Sequence, residues 1–311
     1  MALNKSLKCL CRTTLINASL ERKRVMKSRQ KRLPQIVLFS IFALIAGLIL
    51  LFCCLACAKK AVDPETSYGV FLGVNSDQID LMKGYDTVVI DAAYFTKEEV
   101  ETIRRNGSRK VYSYLNIGSI EEFREGYDTL KDCILAPYDN WPGEYWVNVS
   151  SPKWQQFIAQ SASALIEKGV DGFFLDNTDV YYLYPTREIY DGLVSIIAML
   201  NTYHKDIFVN GGDTFVSKAV MEQDSAQIEI TGVNQECVFT NIDFANNTLV
   251  LQDAEIRQYY QDYLVSCKEK GLAVYLLEYA KDGDIIEAAI QTYCNRNGFQ
   301  YYRSSSIGLV G

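Results

Sequence analysis

From Tyr68 onward, short apolar runs of strand type alternate with longer stretches whose apolar residues recur every three to four positions. The strand-type runs are Tyr68–Val74, Thr87–Ala92, Lys110–Ile117, Val170–Leu175, Asp206–Asn210, Ile228–Asn234, Leu272–Tyr279 and Phe299–Arg303. Between them the helical period covers Thr96–Asn106, Pro152–Lys168, Arg187–Tyr203, Thr214–Gln223, Ala254–Lys270 and Asp284–Arg296, with shorter helical patterns at Asp77–Lys83 and Ile120–Arg124. Gly107, Gly169, Gly271 and Gly298 close four of these helices, each just ahead of a strand run, as a residue free to adopt positive φ should. Continuous apolar strands joined through helices are buried on both faces, which is the signature of a parallel sheet. Eight of them in about 240 residues predict a (β/α)8 barrel. A doubly wound sheet is the alternative, but no Gly-x-Gly-x-x-Gly follows the first strand.

The first sixty residues read differently. Residues 5–32 hold ten Lys and Arg against Glu21 alone, Ile36–Ala58 carries no charge, and Lys59-Lys60 closes the run. A bilayer core of ~30 Å needs roughly 20 apolar residues, so the expectation is a basic cytoplasmic segment (1–32) followed by a single transmembrane anchor (33–58). A linker (59–67) and the barrel (68–311) come next. The positive-inside rule then places the barrel outside the cell as a single-pass ectodomain, with the lipid bilayer as partner of residues 33–58. Residues 1–60 contain 12 of the 31 Lys and Arg and one of the 38 Asp and Glu; 19 bases against 37 acids remain, a net −18 for the body. So acidic a body does not suit nucleic acid and does suit a neutral or cationic ligand.

The chain has a single His, His204. Zinc and non-haem iron sites usually draw on two or three, so neither a metal site nor a cofactor is expected, and proton transfer falls to carboxylates or Tyr. Cys133, Cys237, Cys267 and Cys294 show no C-x-x-C spacing, and no disulfide among them is assignable from sequence. Barrel enzymes carry their chemistry at the carboxyl ends of the strands. Those ends are Asp91, Asn116, Asp176 with Asn177, Asn210 with Asp213, Glu236, and Glu278. One such residue is turn chemistry; six in succession form a polar ring. Aromatics gather in the same places: Tyr112 and Tyr114 alternate along the third strand, Trp141, Tyr145 and Trp146 follow it, and Tyr181, Tyr182 and Tyr184 follow the fourth. Sugar rings pack their C–H faces on aromatic rings. Carboxylates set among aromatics, without His, therefore point to glycoside hydrolysis by an acid and a base or nucleophile.

Six segments in order, Val89-Ile90-Asp91, Tyr114-Leu115-Asn116-Ile117-Gly118, Trp141-Pro142-Gly143-Glu144-Tyr145-Trp146-Val147, Gly172-Phe173-Phe174-Leu175-Asp176-Asn177, Asn234-Gln235-Glu236 and Leu277-Glu278-Tyr279, resemble glycoside hydrolase family 114, the endo-α-1,4-polygalactosaminidase type of TIM barrel. The resemblance covers residues 68–305. It implies an enzyme acting, in the endo mode, on an α-1,4-linked galactosamine exopolysaccharide, with Asp176 as nucleophile and Glu236 as acid/base. Asp91, Tyr114, Asn116, Trp141, Trp146, Asn177, Asn210 and Glu278 are then the expected substrate-binding residues. The chain departs from the family pattern at Ser119, where an acidic residue is usual, with Glu121 and Glu122 displaced beyond it. A competing expectation is a catalytically silent barrel that tethers amino-sugar polymer to the cell surface; a Schiff-base enzyme using Lys281 is the weaker one, since no Lys ends a strand.

Overall fold

A computed structural model of the chain describes residues 67–222, 228–281 and 283–310. The expected anchor at 33–58 and its basic leader lie outside the described residues. Among those described, no helix is long and apolar enough to cross a membrane. The body belongs to a compact unit, Asp63–Gly311.

Eight parallel strands form one sheet in chain order: β1 Tyr68–Phe71, β2 Thr87–Ile90, β3 Lys110–Asn116, β4 Gly172–Asp176, β5 Asp206–Asn210, β6 Gly232–Glu236, β7 Ala273–Tyr279 and β8 Gln300–Ser304. Phe71 of β1 packs against Tyr302 of β8 with ring centroids 5.4 Å apart, and Gly73 N donates to Leu309 O at 3.2 Å, so first and last strands meet. The expected (β/α)8 barrel is the observed architecture. Its outer helices include α1 Lys97–Arg105, α2 Pro152–Glu167, α3 Arg187–Asn201, α4 Ala254–Glu269 and α5 Ile286–Asn297. A 3-10 helix, Ser76–Met82, fills the place after β1. After β5 the expected single helix is a short α segment, Asp213–Val216, running into a π turn, Ser217–Met221.

Side-chain parity sets what faces inward. Tyr68, Tyr112, Phe208 and Tyr275 come from the four odd strands and meet at the axis, with centroids 4.5 to 5.0 Å apart in successive pairs. Layers drawn from alternate strands are how such barrels fill their interior. Phe173, of opposite parity, packs outward on Tyr203. Capping fixes where the helices begin. Thr96 Oγ1 accepts from Glu99 N while Glu99 Oε2 accepts from Thr96 N at the head of α1, and Thr186 and Asp253 cap α3 and α4. Each such cap stabilises its helix by about 1 kcal/mol.

Several boundaries and elements differ from the sequence reading, and those after β3 and β6 bear on the cleft. Strand six starts at Gly232, four residues late, because its ladder partners on β5 are Phe208–Asn210. The same strand runs on to Glu236, which places that carboxylate at its last residue. Ile120–Arg124 is not helical. Ser119–Glu121 forms a strand that pairs with Glu144–Val147, which also pairs with Ile134–Pro137. The partner of Ile120 is Tyr145, far along the chain, and no local periodicity reports such a contact. A second unexpected ribbon, Thr240–Asp243 against Thr248–Leu251, rises after β6.

Candidate active site

At the carboxyl ends of the strands an open cleft of about 640 Å³ is lined by Asp91, Tyr114, Trp141, Asp176, Asn177, Asn210 and Glu236 among others. Its centre is built on one amide. Asn210, the last residue of β5, donates from Nδ2 to Asp176 Oδ1 at 2.9 Å and to Glu236 Oε1 at 2.7 Å. Both protons of that NH2 are thereby used. The orientation of the amide is fixed from below, because Asn210 Oδ1 accepts from Asn234 Nδ2 at 2.6 Å and Asn234 Oδ1 accepts from Tyr68 OH at 3.0 Å. A relay from the barrel floor thus presents two donors to two carboxylates. Oxygens sharing one donor lie no farther apart than the two bonds laid end to end, roughly 5.6 Å.

Glu236 has a second fixed partner: Tyr279 OH, at the end of β7, donates to its Oε2 at 2.8 Å. Burial raises both carboxyls above their ordinary values. Asp176 is pushed up to about 8, by burial first and by the charge of Glu236 second, with the Asn210 N–H pulling the other way. Burial likewise raises Glu236, opposed by Asn210 and Tyr279. Two buried carboxyls this close titrate as a unit, so the pair keeps one proton over a wide pH range.

The loop after β3 makes the adjoining wall. Gly118 has no side chain because a Cβ there would stand 1.7 Å from Asn177 O. Trp154 of α2 ties the same loop down, donating from Nε1 to Ile117 O at 2.9 Å. Asn177 takes a left-handed φ of 64°, tolerable for Asn, and turns its Nδ2 to Ser119 Oγ at 2.7 Å and to Glu144 Oε1 at 3.0 Å. Ser119 Oγ also donates to Glu144 Oε1, and Asn116 Nδ2 reaches the same oxygen at 3.1 Å. Farther along, Arg124 pairs with Asp91 at 2.7 Å and Glu121 at 3.3 Å and lies over the rings of Tyr94, Tyr114 and Phe123. Burial works against its charge, and the two carboxylates overcome that, holding the guanidinium well above its ordinary value. On the opposite rim Trp141, 40% exposed, meets Phe244 of the second ribbon edge-on at 5.9 Å.

Three expected contact residues stand elsewhere. Glu278 is fully buried and away from the cleft wall; its carboxylate accepts from the backbone N–H groups of Val238, Phe239 and Thr240 and from Thr240 Oγ1. It therefore holds the turn that follows Glu236. Strand parity explains the correction: Tyr279 shares its face with inward Tyr275, and Glu278 is on the other. Trp146 is buried beneath Tyr138, with centroids 4.1 Å apart, and Asn116 is buried behind Ser119 and Glu144. Conversely, Arg124, Tyr138, Glu144, Asp179 and Tyr279 line the cleft without having been singled out, as does Glu121, named only as a displaced acid. For Tyr279 the missed signal was parity; for Asp179, its place one turn beyond Asp176. Glu144 and Arg124 depend on the small sheet after β3, which local pattern did not reveal. Among the described residues no group of His, Cys, Asp and Glu is arranged to hold a metal ion, and the four cysteines are free thiols.

The model of glycoside-hydrolase family GH114 matches residues 55–306. In three dimensions the chain is similar to the glycoside hydrolase domain of PelA from Pseudomonas aeruginosa, with a TM-score of 0.67 and 18% identity over 79% of this chain and 96% of that one. It is similar also to Ega3 of Aspergillus fumigatus, solved in complex with galactosamine, with a TM-score of 0.57 and 20% identity over 81% and 95%. An uncharacterised protein of Thermotoga maritima is 22% identical over 235 residues, 67% of this chain and 69% of its own.

Proposed function

This chain belongs to glycoside-hydrolase family GH114, and we propose that it hydrolyses an α-1,4-linked galactosamine polymer with Asp176 and Glu236 as the working pair. The observation that carries the reading is the shared donor: one Asn210 amide binds a carboxylate oxygen of each. A single amide bridging one oxygen of each carboxyl supports the close ~5–5.5 Å spacing of retaining enzymes over the roughly 6.5–9.5 Å that leaves room for a water in inverting ones. In the proposed first step Asp176 attacks the anomeric carbon while Glu236 gives its proton to the departing glycosidic oxygen. Water, deprotonated by the same Glu236, then releases the sugar with its anomeric configuration retained.

Galactosamine as the sugar is supported by the ligand of Ega3 and by the excess of acids in the body. Endo action is supported by the openness of the cleft, walled by Arg124 and its rings on one side and by Trp141 and Phe244 on the other. The basic run before an uncharged segment supports anchorage at residues 33–58, with the barrel outside the cell. A silent tether for polymer would have no use for two carboxylates held by a relay from the barrel floor.

One observation favours exchanging the roles. Asn210 and Tyr279 both donate to Glu236, which favours its ionised form, whereas burial and the charge of Glu236 push Asp176 up. The test is to incubate the full chain with defined α-1,4-galactosamine oligomers, acetylated and free, and follow products by mass spectrometry and the new anomeric centre by NMR. Retained configuration is expected. Inverted product removes the double displacement, and no cleavage of any such oligomer removes the proposed function.

A further inference from the structure

Six carboxylates stand in or on the cleft, and their partners separate them. Asp176 and Glu236 share Asn210. Asp91 gives Oδ2 to Arg124 and Oδ1 to Ala93 N, and Glu121 gives both oxygens to Arg124. Asp179 takes Gly212 N–H on both oxygens, each at 3.2 Å. Glu144 differs from the rest. Its Oε1 accepts from Asn116, Ser119 and Asn177, none of them a cation, while among the described residues no donor is bonded to its Oε2.

Three donors on one oxygen pin the carboxyl plane, and Glu144 itself lines the cleft. The pinning is local to the reaction centre: Asn177, one of the three donors, directly follows Asp176, and Asn116, another, is the ladder partner of Asp176. A carboxylate without a counter-ion among the described residues, fixed beside the residue that faces the anomeric carbon, is placed for a cation on the neighbouring ring carbon, two bonds from that carbon. In an amino sugar that cation is the 2-ammonium group. On this basis, and resting on the galactosamine reading above, we infer that Glu144 is the specificity-determining residue of the cleft, receiving on Oε2 the free 2-ammonium of the sugar whose anomeric carbon faces Asp176 and disfavouring the N-acetylated or 2-hydroxy sugar.

The same contact feeds back on the chemistry. The charge of Glu144 is one of those holding Asp176 up. An ammonium bound between them offsets it and returns Asp176 toward its ionised, attacking form. Substrate charge thus helps prepare the nucleophile. Ser119 is part of the same device: in place of the acid usual there, it donates to Glu144, where a carboxylate would repel it.

The test is a binding titration of the full chain, followed by NMR, with D-galactosamine, N-acetyl-D-galactosamine and D-galactose at a pH where the amine is charged. A charge-assisted hydrogen bond contributes about 1.5–3 kcal/mol, so the wild type should prefer galactosamine by about ten- to a hundredfold over both other sugars. Glu144→Gln should abolish that preference, chiefly by weakening galactosamine binding. Glu144→Asp, one methylene short, gives the same information if the Gln variant does not fold, and should lose most of the preference. Equal wild-type affinity for galactosamine and galactose overturns the inference whatever the variants do, as does a Gln variant that still discriminates. Hydrolysis plays no part in the titration. A protein that selects galactosamine yet cleaves no polymer refutes the hydrolase reading and keeps this one; a protein that cleaves polymer without selecting the amine does the reverse.

Discussion

Tyr279→Phe removes one oxygen and decides which carboxyl does what. The lost atom donates to Glu236 Oε2 at 2.8 Å inside a buried site, and the phenyl ring keeps the packing. A hydrogen bond to a charged acceptor is worth about 1.5–3 kcal/mol, so its removal should make Glu236 a distinctly weaker acid. The sign is fixed, because the phenol stabilises the ionised carboxylate and its removal favours the proton. If Glu236 is the acid/base, the active form carries its proton there, and the alkaline limb of the kcat/KM profile reports its loss. That limb should move up further than the acidic limb, which follows only through the coupling of the pair. If Glu236 is instead the nucleophile, the acidic limb moves up and activity near neutrality falls. Profiles of wild type and variant on a soluble oligomer between about pH 4 and 10 separate the cases. Two unmoved limbs would refute the reasoning, since the Tyr279 bond would then carry no weight at Glu236.

Asp176→Asn and Glu236→Gln should each lower kcat/KM by roughly three orders of magnitude or more with an unchanged circular dichroism spectrum; near-wild-type turnover in either would exclude that residue. Asp176→Asn should also be more stable than wild type at neutral pH. A carboxyl at about 8 in the folded chain against 3.8 unfolded binds its proton preferentially in the native state, so its contribution is present below the unfolded value and lost as pH rises toward 8. The variant should be spared that loss, on the order of a few kcal/mol in denaturant titrations at pH 8, and a pH-independent difference would contradict the assignment. Glu278→Ala strands three backbone N–H groups at the turn after Glu236. At about 1–3 kcal/mol for each unsatisfied group, it should destabilise by several kcal/mol, read as a lowered thermal midpoint.

How far the sequence carried the site depends on which structure each residue belongs to. Asp91, Asp176, Asn210 and Glu236 end barrel strands, or follow them directly, and the strand pattern alone located them. Glu278 ends a strand too, but reading ends without reading parity picked the outward neighbour of Tyr279. Period-two alternation from Tyr275 was present in the sequence and would have chosen Tyr279. Glu144 and Arg124 were out of reach for another reason. Their positions follow from the pairing of Ser119–Glu121 with Glu144–Val147, a contact between segments far apart in sequence whose lone strands are three and four residues long. Runs that short carry almost no periodic signal, so Ile120–Arg124 looked helical until its partner was known.

Barrel strands and inserted sheet therefore have different jobs in the cleft. The strands supply what every turnover of the proposed reaction requires: Asp176, Asn210, Glu236 and Tyr279 come from four consecutive strands and are bonded to one another at 2.7 to 2.9 Å. The insertion supplies Glu144, which is hydrogen-bonded to Asn116, Ser119 and Asn177 and acts on Asp176 through its charge. A group fixed to the loop after β3 and not to the axial relay can change without disturbing the relay, since Asn210 is oriented from Asn234 and Tyr68 below. Positioning of the pair and sugar selection are on this account carried by different elements, linked through the charge of Glu144 on Asp176. Substitutions in the small sheet should alter which sugar enters, whereas those along Tyr68, Asn234 and Asn210 should lower turnover for every sugar alike.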